Sequence, residues 1–293
     1  MNAQNQIANE NLTVCIHKKG AMLWSIKDRD GYEYLWQGDP TYWEDRAPNL
    51  FPYVARLTDG KYRLEGKTYE MDIHGFAKDM IFNVQQDAKD RIVFFIEDTE
   101  KTYAQYPYRF RFEIEYRLER NQLFVDYRVK NNDNRTMHFG LGGHPGFNVP
   151  LEKGLEFHDY YLKFEDAECV HRVDFSEDCF VLGTETEFPL DENMYLRLDH
   201  RMFDEDAIVL KNVPRSVTLA ADRGTKSIRV DYPDMPYLSL WHWPRTEAPY
   251  LCIEPWKSLP SRKDIIEDFA EQPDMVALDA GKVYHNEIVI TMI

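Results

Sequence analysis

Alternation of apolar and polar residues dominates this chain and predicts β-strands. In residues 110–118 every second side chain is apolar, which is the pattern of a strand with one buried face. Residues 123–129 repeat the pattern after a polar stretch suited to a hairpin turn. The same pattern predicts further strands at residues 12–17, 22–26, 92–96, 217–220, 228–232 and 287–292. Residues 263–271 are predicted to form a short helix.

The predicted strands follow one another with short polar connections along the whole chain. No linker, internal repeat or low-complexity tract separates them, and strands do not alternate with long helices. That organisation disfavours a parallel, doubly wound sheet. We therefore predict an all-β fold, a large antiparallel β-sandwich with few short helices, and a single domain over residues 1–293.

Composition excludes several classes of partner. The chain carries 35 Lys and Arg against 51 Asp and Glu, a net charge of −16, and has no run of basic residues. An acidic surface repels phosphate backbones, so we expect no nucleic-acid partner. Mean hydropathy is −0.58 and no apolar run reaches about 18 residues, so we expect no membrane span.

The amino terminus and the cysteines indicate a cytoplasmic protein. The first residues lack the basic and apolar regions of a secretory signal. The four cysteines form no C-x-x-C pair, which excludes a zinc ribbon, and they are too few for a disulfide scaffold in a chain of this length. We expect free thiols in a reducing compartment.

The segment GGHPGF at residues 142–147 contains the first candidate for chemistry. Its glycines allow positive φ and close approach of the backbone to a ligand, and Pro145 restricts the conformation of His144. A histidine held in this way is suited to donate a proton. The alternative is a tight turn in which His144 bonds to a neighbouring carbonyl.

A second candidate, Glu254, ends the apolar run at residues 250–253, and Pro255 is expected to end the strand there. Partial burial would raise the pKa of Glu254 towards that of a general base. Alternatively, Glu254 pairs with Arg56 or Lys257.

Three other segments contain charged or polar residues in predicted loops. His74 precedes Gly75, and read alone it is a loop histidine with a structural hydrogen bond. Arg56 lies in an apolar stretch, so it either pairs with a core carboxylate or points into a polar pocket. Residues 203–210 form an acidic patch that leads into a strand.

No motif for a metal or a nucleotide accompanies these residues. The chain lacks H-E-x-x-H, G-x-S-x-G, the P-loop and G-x-G-x-x-G, so we expect no metal and no cofactor. Histidine, glutamate, arginine and aromatic residues in loops suit a neutral polyhydroxylated ligand.

Taken together, five segments resemble the aldose 1-epimerase (galactose mutarotase) family, and more closely its LacX-like bacterial branch. They occur in the family's order across essentially the whole chain: APNLFPYVARLTDG at 47–60, IHGFAKD at 73–79, GGHPGF at 142–147, FDEDAIVL at 203–210 and CIEPW at 252–256. Ala55 and Lys78 stand where the family usually has Gly and Arg.

The resemblance implies a supersandwich fold and an isomerase that interconverts the α and β anomers of an aldohexose. It implies that His144 is the general acid and Glu254 the general base. It also implies that Arg56, His74 and Asp206 bind sugar hydroxyls, with Asp204 as an alternative to Asp206. The expected partner is a small-molecule sugar, and the enzyme is expected to be a monomer or a homodimer.

Other functions remain open from the sequence. A hexose-6-phosphate 1-epimerase needs additional cations, and Arg46, Lys78, Arg245 and Lys257 lie near the motifs. A carbohydrate-binding or sugar-sensing protein without catalysis does not need both His144 and Glu254. A glycosidase-like or lyase accessory domain generally needs paired carboxylates.

Overall fold

The computed structural model describes residues 5–293, which are rich in β-strands. The strands are β1 (Asn5–Ala8), β2 (Leu12–Ile16), β3 (Leu23–Asp28), β4 (Asn49–Leu50), β5 (Lys61–Leu64), β6 (Lys67–Glu70), β7 (Asn83–Ala88), β8 (Arg91–Glu97), β9 (Phe110–Glu119), β10 (Gln122–Asn131), β11 (Met137–Phe139), β12 (Gly142–Gly143), β13 (Gly146–Asn148), β14 (Tyr160–Lys163), β15 (His171–Phe175), β16 (Val181–Glu187), β17 (Tyr195–Arg197), β18 (Ile208–Lys211), β19 (Ser216–Ala221), β20 (Ile228–Asp231), β21 (Tyr237–Trp241), β22 (Tyr250–Trp256), β23 (Val276–Leu278) and β24 (Val283–Met292).

Two large antiparallel sheets form the sandwich. The nine-stranded sheet has the order β17-β14-β19-β20-β24-β10-β9-β8-β7. The eight-stranded sheet has the order β16-β15-β18-β21-β22-β12-β4, and β13 also pairs with β22. Three smaller sheets, β1-β2-β3, β5-β6 and β11-β23, complete the fold. The prediction of a large antiparallel β-sandwich is confirmed.

Alternate residues of both large sheets point into one core. Phe112 and Ile114 of β9 and Val125 of β10 lie in the same buried cluster as Leu240 of β21 and Ile253 of β22. At Gly143 of β12 an added Cβ would lie 3.0 Å from the side chain of Ile288 on β24, so the sheets approach closely there. The other face of the eight-stranded sheet is therefore available for a site.

Asn49 links the two sheets through a buried hydrogen-bond network. Its amide nitrogen donates to the carbonyls of Gly20 and Ala21 at 3.0 and 3.1 Å and contacts the Tyr116 hydroxyl at 3.1 Å. Its amide oxygen accepts from the Tyr127 hydroxyl at 2.9 Å. This network fixes β4 against the nine-stranded sheet.

The helix predicted at residues 263–271 is wrong. This segment forms turns, and Asp264 has a positive φ of 60°. Arg63 of β5 donates from its backbone to Glu267 at 2.7 Å and accepts from the backbone of Phe269 at 3.0 Å. These tertiary bonds replace the hydrogen bonds that a helix would form within the segment.

The α-helix of the described residues is α1 (Glu100–Gln105), which the periodicity did not predict. Thr99 caps it, because its side chain accepts from the backbone of Thr102 at 3.1 Å and the Thr102 hydroxyl accepts from the backbone of Thr99 at 2.8 Å. Within residues 5–293, no helix has the length and apolar character needed to cross a membrane.

Pro255 does not end its strand as expected, since β22 continues to Trp256. Ile253 donates its backbone N–H to Pro145, on the side where β12 and β13 are separated by His144 and Pro145. Position 255 faces the same interrupted side, because backbone donors alternate along a strand. Pro255 lies opposite Gly143, so the missing proline N–H removes one hydrogen bond at the end of the short strand β12.

Replacing Asn49 is expected to destabilise the fold. Asn49→Ala removes the partner of the buried Tyr127 hydroxyl and of the Gly20 carbonyl, whereas the Tyr116 hydroxyl still donates to the Ala21 carbonyl at 2.7 Å. We therefore expect the free energy of unfolding to fall by about 2–4 kcal/mol. Urea unfolding measures this. The exposed Asn83 of β7 provides the control, and Asn83→Ala should change stability by less than about 0.5 kcal/mol. Equal effects of the two substitutions would contradict the assignment.

Candidate active site

The register of the eight-stranded sheet places His144 opposite Glu254. Gly142 pairs with Trp256 and Gly146 pairs with Cys252, so the intervening His144 faces Glu254 on the neighbouring strand. Nε2 of His144 lies 3.3 Å from Oε2 of Glu254. The His144 backbone N–H donates to the carbonyl of Pro48 at 3.0 Å, which fixes the loop on its other side. The two sequence motifs therefore meet as one pair.

The glycines beside His144 provide space for two tryptophans. An added Cβ at Gly142 would lie 2.9 Å from the Trp256 indole, and one at Gly146 would lie 3.1 Å from the Trp43 indole. None of the glycines at 142, 143 and 146 has a positive φ, so the expectation of that conformation is wrong. The segment needs glycine because aromatic rings occupy the space of a side chain.

A cavity of about 490 Å³ lies over this face of the sheet. In an antiparallel ladder, paired residues share a face, and Ser239 pairs with Glu254 while Val209 pairs with Ser239. All three line the cavity, together with His144. Trp43, Trp241, Trp243 and Trp256 form much of its wall. The floor of the cavity is thus formed by residues that pair with one another across adjacent strands.

Burial favours the uncharged form of both members of the pair. The Glu254 side chain is 1% exposed, and burial raises its pKa well above the usual value, against the lowering effect of the Trp256 indole N–H at 3.2 Å. Burial lowers the pKa of His144 to about 4, although the negative charge of Asp206 acts to raise it. A histidine that donates a proton near neutral pH needs a pKa that is not depressed, and burial does not give His144 such a pKa.

Two polar atoms beside the cavity are buried without a hydrogen-bond partner among residues 5–293. They are Nδ1 of His144 and Oγ of Ser239. Buried polar groups are normally paired, and an unpaired one costs free energy. Both atoms are buried, and they leave hydrogen-bonding capacity unused beside the cavity.

His74 lies beside His144 in the cavity, with ring centroids 5.5 Å apart. The backbone N–H of Ala55 donates to Nδ1 of His74 at 3.1 Å. Burial lowers the pKa of His74 well below its usual value, and the nearby positive charges of Lys78 and Arg56 act in the same direction. A neutral ring that accepts at Nδ1 carries its proton on Nε2, so the Nε2–H of His74 is available as a hydrogen-bond donor.

Arg56 and Asp206 also line the cavity, and Asp204 does not. The Arg56 guanidinium lies 4.0 Å from Oδ2 of Asp206, and the Arg56 side chain is 46% exposed, so it does not pair with a core carboxylate. Asp206 accepts from the backbone of Ala207 at 2.9 Å and from the Cys179 thiol at 3.0 Å. These contacts orient its carboxylate, and of the two alternatives the structure brings Asp206 to the cavity.

Of the four cations considered for a phosphate, Lys78 alone is at the cavity among the described residues. It pairs with Asp79 at 2.7 Å. Arg46 stacks on Trp24 at 3.8 Å, and Arg245 is an exposed residue 4.0 Å from Glu205. Lys257 does not contact the cavity.

Sequence reasoning missed several residues of the cavity. Ser239 gives no signal, because it is a single polar residue within an apolar strand, and Cys179 reaches Asp206 from a distant hairpin. Trp43 lies 4.9 Å from His144 between ring centroids, again through a long-range contact. Cys252 shares the face of Glu254, and the period of two from Glu254 was an available signal for it.

The fold and the pair formed by His144 and Glu254 agree with the family resemblance seen in the sequence. A comparison with models of protein families gives the same result. The model of aldose 1-epimerase matches residues 4–290. The chain therefore belongs to the aldose 1-epimerase family and is an isomerase-type enzyme.

Individual relatives extend over nearly the whole chain. Protein LacX (chromosomal) from Lactococcus lactis subsp. lactis is 33% identical over 288 residues, which cover 94% of this chain and 96% of the relative. The solved galactose mutarotase related enzyme from Lactobacillus acidophilus is 31% identical, with a TM-score of 0.94 and coverage of 99% and 97%. A galactose mutarotase-like protein from Lactobacillus casei ATCC 334 has the same TM-score and identity, with coverage of 99% and 100%. The family resemblance read from the sequence is confirmed.

Neutralising Glu254 is expected to stabilise the fold at neutral pH. Its pKa is raised in the folded chain, so below the unfolded value of about 4.5 neither state is ionised. As the pH rises, the unfolded chain ionises first and stability is lost. Glu254→Gln removes this loss, and we expect a gain on the order of 1 kcal/mol at about pH 7.5 that shrinks at about pH 5. Urea unfolding at both pH values measures it.

Glu267 provides a matched control with the opposite sign. Burial acts to raise its pKa, but two hydrogen bonds of 2.8 Å from Arg262 give a net lowering. Its ionised form therefore stabilises the fold above the unfolded pKa, and this contribution is lost as the pH falls. Glu267→Gln should cost about 1–3 kcal/mol at about pH 7.5. A Glu254→Gln protein less stable than its parent at that pH would contradict the analysis.

Proposed function

We propose that this enzyme interconverts the α and β anomers of a neutral aldohexose. The observation that carries the proposal is the buried pair of His144 and Glu254, 3.3 Å apart, on the floor of a cavity that also holds unpaired polar atoms. An acid and a base at this separation can act on the two oxygens bonded to the anomeric carbon. Membership of the aldose 1-epimerase family supports the same reaction.

In the proposed reaction, ionised Glu254 accepts the proton of the anomeric hydroxyl while protonated His144 donates to the ring oxygen. The bond between the anomeric carbon and the ring oxygen breaks, which leaves an open-chain aldehyde. Rotation about the neighbouring carbon–carbon bond presents the other face of the carbonyl. Ring closure then reverses both proton transfers, and no proton is gained or lost over the cycle.

The low pKa of the buried His144 is compatible with this cycle. Ionised Glu254 with protonated His144 has the same number of protons as protonated Glu254 with neutral His144. The second, uncharged form is the one that burial favours, and it is the form that exists after ring opening. The negative charge of Asp206 and the hydroxyls of a bound sugar act in favour of the charged form before the reaction.

Three further residues are proposed to hold the sugar. The Nε2–H of His74 and the Arg56 guanidinium donate to hydroxyl or ring oxygens, and the Asp206 carboxylate accepts from hydroxyls. Tryptophans of the wall, including Trp243 at 45% exposure, offer flat apolar surface to the faces of a pyranose ring.

A neutral sugar fits the cavity better than a phosphorylated one. The cavity contains two cations, Arg56 and Lys78, and outside the pair of His144 and Glu254, which has no net charge, it contains three acidic residues, Asp45, Glu205 and Asp206. Lys78 is already paired with Asp79. A phosphate group typically requires several unpaired Arg or Lys side chains, so hexose-6-phosphate epimerisation is the weaker candidate.

Removing either member of the pair is expected to abolish most of the catalysis. For Glu254→Gln and His144→Gln we expect the protein-dependent rate of α-to-β conversion to fall about 10²–10⁴-fold, because each residue transfers a proton in the rate-determining steps. Polarimetry or NMR with fresh α-D-glucose and α-D-galactose measures the rate above a protein-free blank in the same buffer.

The exposed Glu185 of β16 supplies a control for loss of a carboxylate. Glu185→Gln should keep the parental rate within a few-fold, because Glu185 lies outside the cavity. Full activity in Glu254→Gln would overturn the assigned base. Sugar binding without any acceleration by the parent protein would instead support the binding-only function.

A phosphorylated sugar is expected to be a poorer substrate than the free aldose. With glucose 6-phosphate, kcat/KM should be at least about tenfold below that for the better free aldose, because three acidic residues besides the catalytic pair line the cavity. NMR exchange rates at matched sugar concentrations compare the two. A preference for the phosphate would transfer the assignment to hexose-6-phosphate epimerisation.

A further inference from the structure

One buried nucleophilic group beside the catalytic pair has no role in the proposed reaction. Cys252 lies two residues before Glu254 on the same face of β22, and its thiol is free. A ring nitrogen of His144, Sγ of Cys252 and a carboxylate oxygen of Glu254 all lie within 4.8 Å of one another. All three residues are buried.

This donor set matches the preferences of a thiophilic divalent cation. Thiolate, imidazole and carboxylate are the protein ligands of zinc. A thiolate and a carboxylate supply two negative charges, which compensate a divalent cation, and imidazole binds in its neutral form. A complex of these ligands therefore has no net charge, which a buried site requires.

We propose that Cys252, His144 and Glu254 form a binding site for a thiophilic divalent cation such as Zn²⁺ or Cd²⁺, which inhibits the enzyme when it is bound. The inhibition, but not the binding, rests on the proposed function. The spacing of these residues in the sequence is not a metal motif. The register of β22 with its neighbouring segment brings the donors together.

The geometry requires a small adjustment. Tetrahedral coordination with bonds of about 2.0–2.3 Å places donor atoms roughly 3.3–3.7 Å apart, so the widest donor pair has to close by about 1 Å. The proton of the Cys252 thiol and the proton of the Glu254 carboxyl group both pass to solvent as the bonds to the metal form. His144 and Glu254 line the cavity, so the fourth coordination position opens towards it and accepts water.

Inhibition is expected because two of the three metal ligands, His144 and Glu254, are the proposed catalytic residues. A cation bound to the Glu254 carboxylate removes the lone pair that accepts the sugar proton. Coordination of the His144 ring removes the proton that this residue donates. The cation would also occupy the position of the anomeric oxygens, so inhibition should weaken as the sugar concentration rises.

The binding test is a Cd²⁺ titration of the intact protein, followed by the ultraviolet absorption of the cadmium–thiolate bond. We expect saturation with one tight site per chain. Cys252→Ala and Cys252→Ser should each lose this site, with affinity reduced at least about tenfold. Circular dichroism and urea unfolding show whether each variant is folded, and the serine variant preserves the side-chain volume if the alanine variant is unstable.

Cys169 provides the matched control for a thiol beside a histidine. It is exposed, and its Sγ lies 4.0 Å from Nε2 of His171. Cys169→Ala should retain the tight site. Loss of the site in Cys169→Ala, its persistence in both folded Cys252 variants, or no tight site in the parent would overturn the proposal.

Mutarotation rates with added Zn²⁺ test the inhibition separately. The parent and Cys169→Ala should be inhibited and should recover with EDTA. Cys252→Ala should need at least about tenfold more Zn²⁺ for the same inhibition. Tight Cd²⁺ binding without any basal mutarotation would overturn the proposed function and leave the metal site standing. Binding to an active enzyme without inhibition would overturn the inhibitory role.

Discussion

The cross-strand register around β22 is the constraint on which the rest of the site depends. It sets His144 opposite Glu254 and gives both a position on the cavity face of the sheet. A shift of one residue would turn the glutamate into the sandwich core, where Ile253 now lies. The register is held by apolar side chains on one face and by Trp256 and Trp43 on the other. The packing of these side chains therefore determines which polar groups face the cavity.

Burying two titratable groups such as His144 and Glu254 costs folding free energy, and the geometry of the pair reduces this cost. Burial opposes the charged forms of Glu254 and His144. The two residues stay within 3.3 Å of each other, so one proton can be transferred between them without a net change of charge. In the proposed reaction, the hydroxyls of a bound sugar shift the balance towards the charged form. The free-energy cost of burying the pair is in this proposal linked to ligand recognition.

Strands with one buried face were predictable from the alternation of apolar and polar residues. The strands predicted at residues 110–118 and 123–129 correspond to β9 and β10. β22 was harder to predict from the sequence because every residue in it is buried, so apolar and polar residues do not alternate along the strand. The helix assigned to residues 263–271 failed because hydrogen bonds to Arg63 decide that segment. Local motifs and the family resemblance supplied the candidate pair, whereas Ser239 and Cys179 reach the cavity only through the tertiary fold.

The same packing that builds the pair also accounts for a cysteine beside it. Cys252 stands between Gly146 on one neighbouring segment and Trp241 on the other. The Trp43 indole lies over Gly146, so the space left at position 252 suits a small apolar side chain, and cysteine is one of the smallest that packs well in a core. Its thiol then lies within reach of two other metal-binding side chains. Affinity for soft cations is in this view a by-product of packing, and an enzyme whose proposed reaction requires no metal acquires sensitivity to one.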